Sequence, residues 1–91
     1  MKVLIVEDDI LTREGLAELL CNEGYEVTLA SDGEAGIELF TKERPHFVCL
    51  DVMMPKMSGY EVCRHIRQQD ANIPIIFISA KSEEIDKVVG L

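Results

Sequence analysis

At 91 residues the chain has room for one domain, and 47% hydrophobic residues with only three prolines and six glycines make it globular, neither disordered nor collagen-like. Seventeen acidic against nine basic side chains leave a formal charge of −8, which repels phosphate backbones and anionic bilayers and so argues against nucleic-acid or membrane binding by this segment. A cation is the more natural ligand, with a solvated acidic surface as the plainer alternative.

The elements follow in order. Lys2 to Val6, K-V-L-I-V, is a short, β-branched run apolar on successive positions, the pattern of a central parallel strand covered on both faces. Glu7, Asp8 and Asp9 follow at once. The stripe of Leu11, Leu16, Leu19 and Leu20 then predicts a helix from Ile10 to Glu23, stopped at Gly24, with Asp9 as its N-cap. Tyr25 to Ala30 alternates Tyr25, Val27 and Leu29 against polar residues, as a half-covered edge strand does. Ser31 or Asp32 caps a second helix carrying Ala35, Leu39 and Phe40 inward, which Pro45 ends. Phe47 to Leu50 is a third, apolar strand closed by Asp51. A third helix starts near Ser58 and turns Tyr60, Val62, Cys63 and Ile66 to the core. Ile75 to Ile78 is a fourth buried strand ending at Ser79, and Ser82 with Glu83 and Glu84 opens a fourth helix.

Strand and helix alternate without a repeat or linker, so the fold class is α/β, a doubly wound open parallel sheet. No apolar run approaches the ~20 residues of a bilayer span, and no secretory leader precedes the first strand. Cys21, Cys49 and Cys63 are odd in number and lack zinc-ligand spacing, so free thiols in a cytoplasmic protein are expected.

Ligands of such sheets bind beyond the carboxyl ends of the strands, which directs attention to the residues after Val6, Leu50 and Ile78. Glu7, Asp8 and Asp51 stand there. If their strands are neighbours, three carboxylates converge, and their repulsion calls for a cation. Magnesium suits a site of one or two carboxylates completed by water and phosphate. The plainer reading of any one of these acids is a polar strand terminator. Met53, Met54 and Met57 read as gap filling, not as a soft-metal site, and His46 and His65 are given no role.

Three segments, V-E-D-D at Val6 to Asp9, L-D-V-M-M-P-K-M-S-G at Leu50 to Gly59 and I-S-A-K at Ile78 to Lys81, closely resemble the receiver domain of two-component response regulators. The resemblance runs over residues 1–91. It implies a flavodoxin-like sheet of strand order 2-1-3-4 and a phosphorelay role. Asp51 would be the phosphoacceptor for a sensor histidine kinase. Glu7, Asp8, Asp51 and the backbone carbonyl of Met53 would hold Mg2+, and Ser79 would be the switch hydroxyl. Its own chemistry would be self-directed phosphorylation and dephosphorylation, not enzymatic turnover. The wording from Lys81 to Leu91 is similar to receivers that precede a winged-helix transcription domain.

A family receiver continues through a fifth strand and helix, including a lysine that contacts the phosphoryl group, so the chain reads as an incomplete receiver. The strand at Ile75 to Ile78 then becomes an open apolar edge, and copies are expected to pair or swap there. Three rivals stay in view. A receiver-like interaction fragment would keep the fold without phosphorylation. An aspartate-nucleophile phosphohydrolase would need a second acid where Met53 stands. A nucleotide or flavin binder would need a Gly-rich loop where the acids stand.

Overall fold

The computed structural model describes residues 1–78 and the strand at 89–90. Its elements are β1 (Lys2–Val6), α1 (Ile10–Asn22), β2 (Glu26–Ala30), α2 (Gly33–Glu43), β3 (Phe47–Asp51), α3 (Gly59–Gln69), β4 (Ile75–Ile78) and β5 (Val89–Gly90). Ser79 and the helix expected from Ser82 lie outside the described residues.

Each helix starts where a short polar side chain can take the orphaned amides of the first turn. The Asp9 carboxylate accepts from the Thr12 amide at 2.9 Å and caps α1. Asp32, not Ser31, caps α2 by accepting from the Ala35 amide at 2.8 Å. Ser58 and Glu61 form a reciprocal capping box on α3. The helices also end on local chemistry. Gly24 takes φ +96° just past α1. Arg44 is left-handed at φ 49° because the following Pro45 disfavours another helical residue.

The sheet order is β2-β1-β3-β4-β5, with the first four strands parallel as expected. One addition was not expected. β5 pairs antiparallel with β4, setting Gly90 against Ile76 and Val89 against Phe77. The β4 ladder is thus occupied at Ile76 and Phe77 by the chain's own residues.

Helices on both faces make alternate strand residues point into two separate cores. Leu4, Val6, Val48, Leu50, Ile75 and Phe77 face α2 and α3, where Phe40, Val62 and Ile66 complete a closed cluster. Val3, Ile5 and Cys49 face α1, against partly buried Leu16, Ala17 and Leu20. Three expected inward residues point outward. Leu11 is 78% and Leu19 60% exposed: Leu11 is in the opening turn of α1, and Leu19 is turned about 100° away from Leu20 around the helix. Tyr60, 60% exposed, lays its ring beside Phe77 at a centroid distance of 5.2 Å instead of entering the core. On β2, Leu29 is exposed at the sheet margin, and the buried residue is Ala30, paired with Val6.

Candidate functional site

β1 and β3 are neighbours with Val6 opposite Leu50, so the chain emerges from both at the same end of the sheet. Glu7 and Asp8 leave from one strand and Asp51 ends the other. One carboxylate oxygen from each lies within 4.8 Å of the others. Glu7 is 0% and Asp51 1% exposed, while Asp8 stands half-buried at the rim.

Backbone hydrogen bonds fix the two acidic strands' ends. The Glu7 amide donates to the Ala30 carbonyl at 3.1 Å, and the Asp9 amide donates to Glu7 Oε2 at 3.0 Å. On the other side the Met53 amide donates to Asp51 Oδ1 at 3.3 Å. The Val52 amide donates to the Ile78 carbonyl at 3.2 Å, and the Gly59 amide to the Val52 carbonyl at 2.9 Å. Gly59 is required here by close approach, and not by the conformational freedom its place at a helix start suggests: a Cβ would sit 2.2 Å from the Asp51 carbonyl oxygen.

Each acid keeps one buried oxygen without a hydrogen-bond partner: Glu7 Oε1, Asp8 Oδ1 and Asp51 Oδ2. Buried acceptors without donors are costly, and three facing one another are more so. The protonation equilibria carry that cost. Burial first, then the negative charge of Asp51, push the Glu7 carboxyl up from 4.5 to about 7, against the lowering effect of the Asp9 amide. Burial also raises Asp51, while a hydrogen bond from Glu7 opposes the rise. In the absence of a metal, a proton on Glu7 directed at Asp51 offsets part of the repulsion.

These donors fit a small hard divalent cation. All are hard carboxylate oxygens, as magnesium prefers, and each orphaned oxygen could gain a partner directly or through a metal-bound water. Calcium asks for six or more oxygens, more than the cluster supplies. Asp8 also lines a cleft of about 380 Å3 with Val52, Met53, Met54, Pro55 and Ser58, which opens the cluster to solvent.

The structure thus brings Glu7, Asp8 and Asp51 together and sets Met53 beside them, its side chain 59% exposed. Ser79 lies outside the described residues. Asp9, the remaining acid of the run, serves α1 as its cap. Met54 and Met57 pack partly into the core between sheet and helices, as gap filling requires. His46, given no role, has a structural one: its Nδ1 accepts from the Lys2 amide at 2.9 Å. Lys56 sits in the β3–α3 loop with φ 68°. Arg13 was missed altogether. Its guanidinium donates to the backbone carbonyls of Glu7 and Asp8 at 2.9 and 3.5 Å. Its place in the opening turns of the helix that follows the acids was the available signal.

An acidic triad at the carboxyl ends of β1 and β3, in a parallel sheet of order 2-1-3-4, places the chain among doubly wound α/β domains with a candidate cation site at the strand ends. The response regulator receiver domain family matches residues 3–91, and the chain belongs to it. It is 44% identical over 89 residues to the transcriptional regulatory protein AfsQ1 of Streptomyces coelicolor, covering 98% of this chain and 39% of that protein. It is also 44% identical over 90 residues to the alkaline phosphatase synthesis transcriptional regulatory protein PhoP of Bacillus subtilis, covering 99% and 38%. The chain therefore spans less than two fifths of these relatives. Among solved structures, the response regulator TrrA of Thermotoga maritima, in complex with Mg(2+)-BeF, matches with a TM-score of 0.84 at 38% identity, covering 89% of this chain and 70% of that one. The chemotaxis protein CheY4 of Vibrio cholerae matches with a TM-score of 0.84 at 33% identity, covering 91% and 71%.

Receiver domains are signalling domains, and this one carries the acidic pocket in which they bind magnesium. None of its described helices is long and apolar enough to cross a membrane.

Proposed function

We propose that Asp51 accepts a phosphoryl group from a phosphohistidine of a sensor kinase. Glu7, Asp8, Asp51 and the Met53 carbonyl hold Mg2+ for that transfer. The observation that carries this reading is the cluster of three carboxylates within 4.8 Å, each with a buried oxygen lacking a donor.

Bound there, magnesium would supply positive charge between two anions that otherwise repel. The chain does the rest by position. The Met53 amide holds one Asp51 oxygen, and the strand end fixes the carboxylate's direction. A carboxylate oxygen attacks phosphorus, the P–N bond of the phosphohistidine breaks, and its electron pair stays on the imidazole nitrogen. The product is an acyl phosphate on Asp51. Ser79 is proposed as the hydroxyl that meets the new phosphoryl oxygens. The domain's own chemistry is then confined to gaining and losing this group. Its likeness to the transcriptional regulatory proteins AfsQ1 and PhoP supports a transcriptional output for the protein that carries it.

The test is intact mass after incubation with magnesium and a small acyl phosphate, beside Asp51→Asn. A gain of one phosphoryl group that requires magnesium and disappears in the variant is expected. A folded wild-type sample that gains nothing would overturn the phosphoacceptor role and favour the interaction-fragment reading.

A further inference from the structure

The acids of the triad are not held alike. Asp51 ends a strand buried on both sides, and the Met53 amide and the close approach of Gly59 hold it in place. Glu7 and Asp8 lie in the short turn between β1 and α1, and the negative charge of Asp51 faces both across the cluster. Something must hold that turn closed against the repulsion.

Arg13 is placed to do so. It is the fourth residue of α1, one turn past the Asp9 cap, and its side chain runs back along the helix start. One guanidinium nitrogen, Nη1, donates to the carbonyl oxygen of Glu7 at 2.9 Å and, more weakly, to that of Asp8 at 3.5 Å. The bonds go to the backbone of the two acids and leave their carboxylates free. A cation near the N-terminal end of a helix is set against the helix dipole, so contacts at that end must offset the placement. A charge-assisted bond to a carbonyl does this, and the two N–H groups of Nη1 serve the two adjacent acceptors.

We infer that Arg13 is a positioning residue for the metal site: by clamping the Glu7 and Asp8 carbonyls it keeps both carboxylates aimed at Asp51 before any cation arrives. It touches neither the metal nor the phosphoryl group. The inference deepens the function proposed above and rests on it. It also opposes simple electrostatics in sign. A guanidinium beside a cation site repels the cation, so if charge were its only effect, removing it would tighten magnesium binding. If it preorganises the ligands, removing it weakens binding, as loss of a supporting contact around a metal site does, by about tenfold or more.

The experiment is a Mg2+ titration of wild type, Arg13→Gln and Arg13→Lys, followed by the backbone amide shifts of Asp8, Asp9 and Val52. Melting curves in chelator establish that each variant is folded. Arg13→Gln is expected to bind magnesium about tenfold more weakly, and Arg13→Lys, which keeps one donor and the charge, to fall between. Phosphoryl uptake on Asp51 should be slowed at limiting magnesium and approach the wild-type rate at saturation. A merely structural surface residue would not produce that split. Equal or tighter binding by Arg13→Gln overturns the inference while wild-type binding leaves the proposed function standing. Should Arg13→Gln fail to fold, Arg13→Lys decides: weaker binding supports the clamp and unchanged binding overturns it. Failure of wild type to bind at all would remove both.

Discussion

The two faces of the sheet are built to different standards. Among the described residues, a closed cluster of twelve buried residues from Leu4 to Phe77 faces α2 and α3, whereas toward α1 only Val3, Ile5 and Cys49 are buried. The strands themselves are not the cause. β1 contributes Leu4 and Val6 to one face and Val3 and Ile5 to the other, all at 0% exposure. The difference lies in the covering helices. α2 and α3 pack side by side and bury Phe40, Val62, Cys63 and Ile66, while α1, the one helix on its face among the described residues, has no fully buried residue. The same asymmetry appears within β4, where Ile75 and Phe77 are buried and Ile76 and Ile78 only half so. The candidate site draws on both sides. Asp51 is anchored by the β3–α3 connection on the packed face, and Glu7 and Asp8 by the connection to α1 on the thin one.

If stability resides in the packed face, truncations there should cost far more. Phe40→Ala removes a ring that is 1% exposed from the closed cluster and should cost about 3–5 kcal/mol. Leu20→Ala, at a partly buried position under α1, should cost about 1 kcal/mol. Urea melts of the two variants measure both. Similar losses would mean that the thin face is as well packed as the other, and the comparison would break.

That asymmetry was only partly legible in the sequence. The strands were readable because a run apolar at every position has little alternative to burial on both faces, and Lys2 to Val6 and Ile75 to Ile78 fall where the runs do. Asp51, Glu7 and Asp8 were readable because parallel sheets gather strand ends in one place. What failed was the assignment of faces on single helices. Leu11 and Leu19 carry the same hydrophobic signal as Leu16 and Leu20, and only the width of the covered strip separates them. Tyr60 failed for a related reason: an aromatic ring can lie along the rim on Phe77 and satisfy the same pattern. Arg13 could be suspected only from its place in the helix that follows the acids, because its acceptors are backbone carbonyls, which leave no trace in residue identity.

The half of the site on the thin face sharpens the comparison through pH. In chelator, Glu7 binds its proton more tightly folded than unfolded, with a carboxyl at about 7 against an ordinary 4.5. The folded state therefore holds more protons between those values, and stability must fall as pH rises. The stabilisation from protonated Glu7 is complete below about 4.5 and lost as pH passes about 7. Glu7→Gln should remove most of that slope and raise metal-free stability at pH 8 by about 2 kcal/mol. Saturating magnesium should do for wild type what the amide does for the variant, and should no longer stabilise Glu7→Gln as strongly. Thermal melts at pH 5 and 8, with chelator and with magnesium, distinguish these outcomes. A wild-type chain more stable at pH 8 than at pH 5 without metal would show that Glu7 is not the buried acid this geometry makes it.

The smallest effect is kinetic and compares the faces without changing any core residue. Cys49 lies under α1 and Cys63 under the packed cluster, with nearly equal exposures of 7% and 8%, while Cys21 is exposed on α1. Burial pushes the Cys49 thiol up to about 11, so in the closed state it is scarcely nucleophilic. Alkylation of either buried thiol therefore waits for local opening, and the energy of opening depends on the packing above it. Timed labelling with a small alkylating reagent, read by peptide mass, should give the order Cys21, then Cys49, then Cys63. Because the two buried thiols start equally covered, a gap between them measures how much more readily α1 lifts than the α2 and α3 layer. Cys63 labelling together with Cys49 would mean that both open only by global unfolding, and that the thin face, despite its few buried residues, belongs to the same cooperative unit as the thick one.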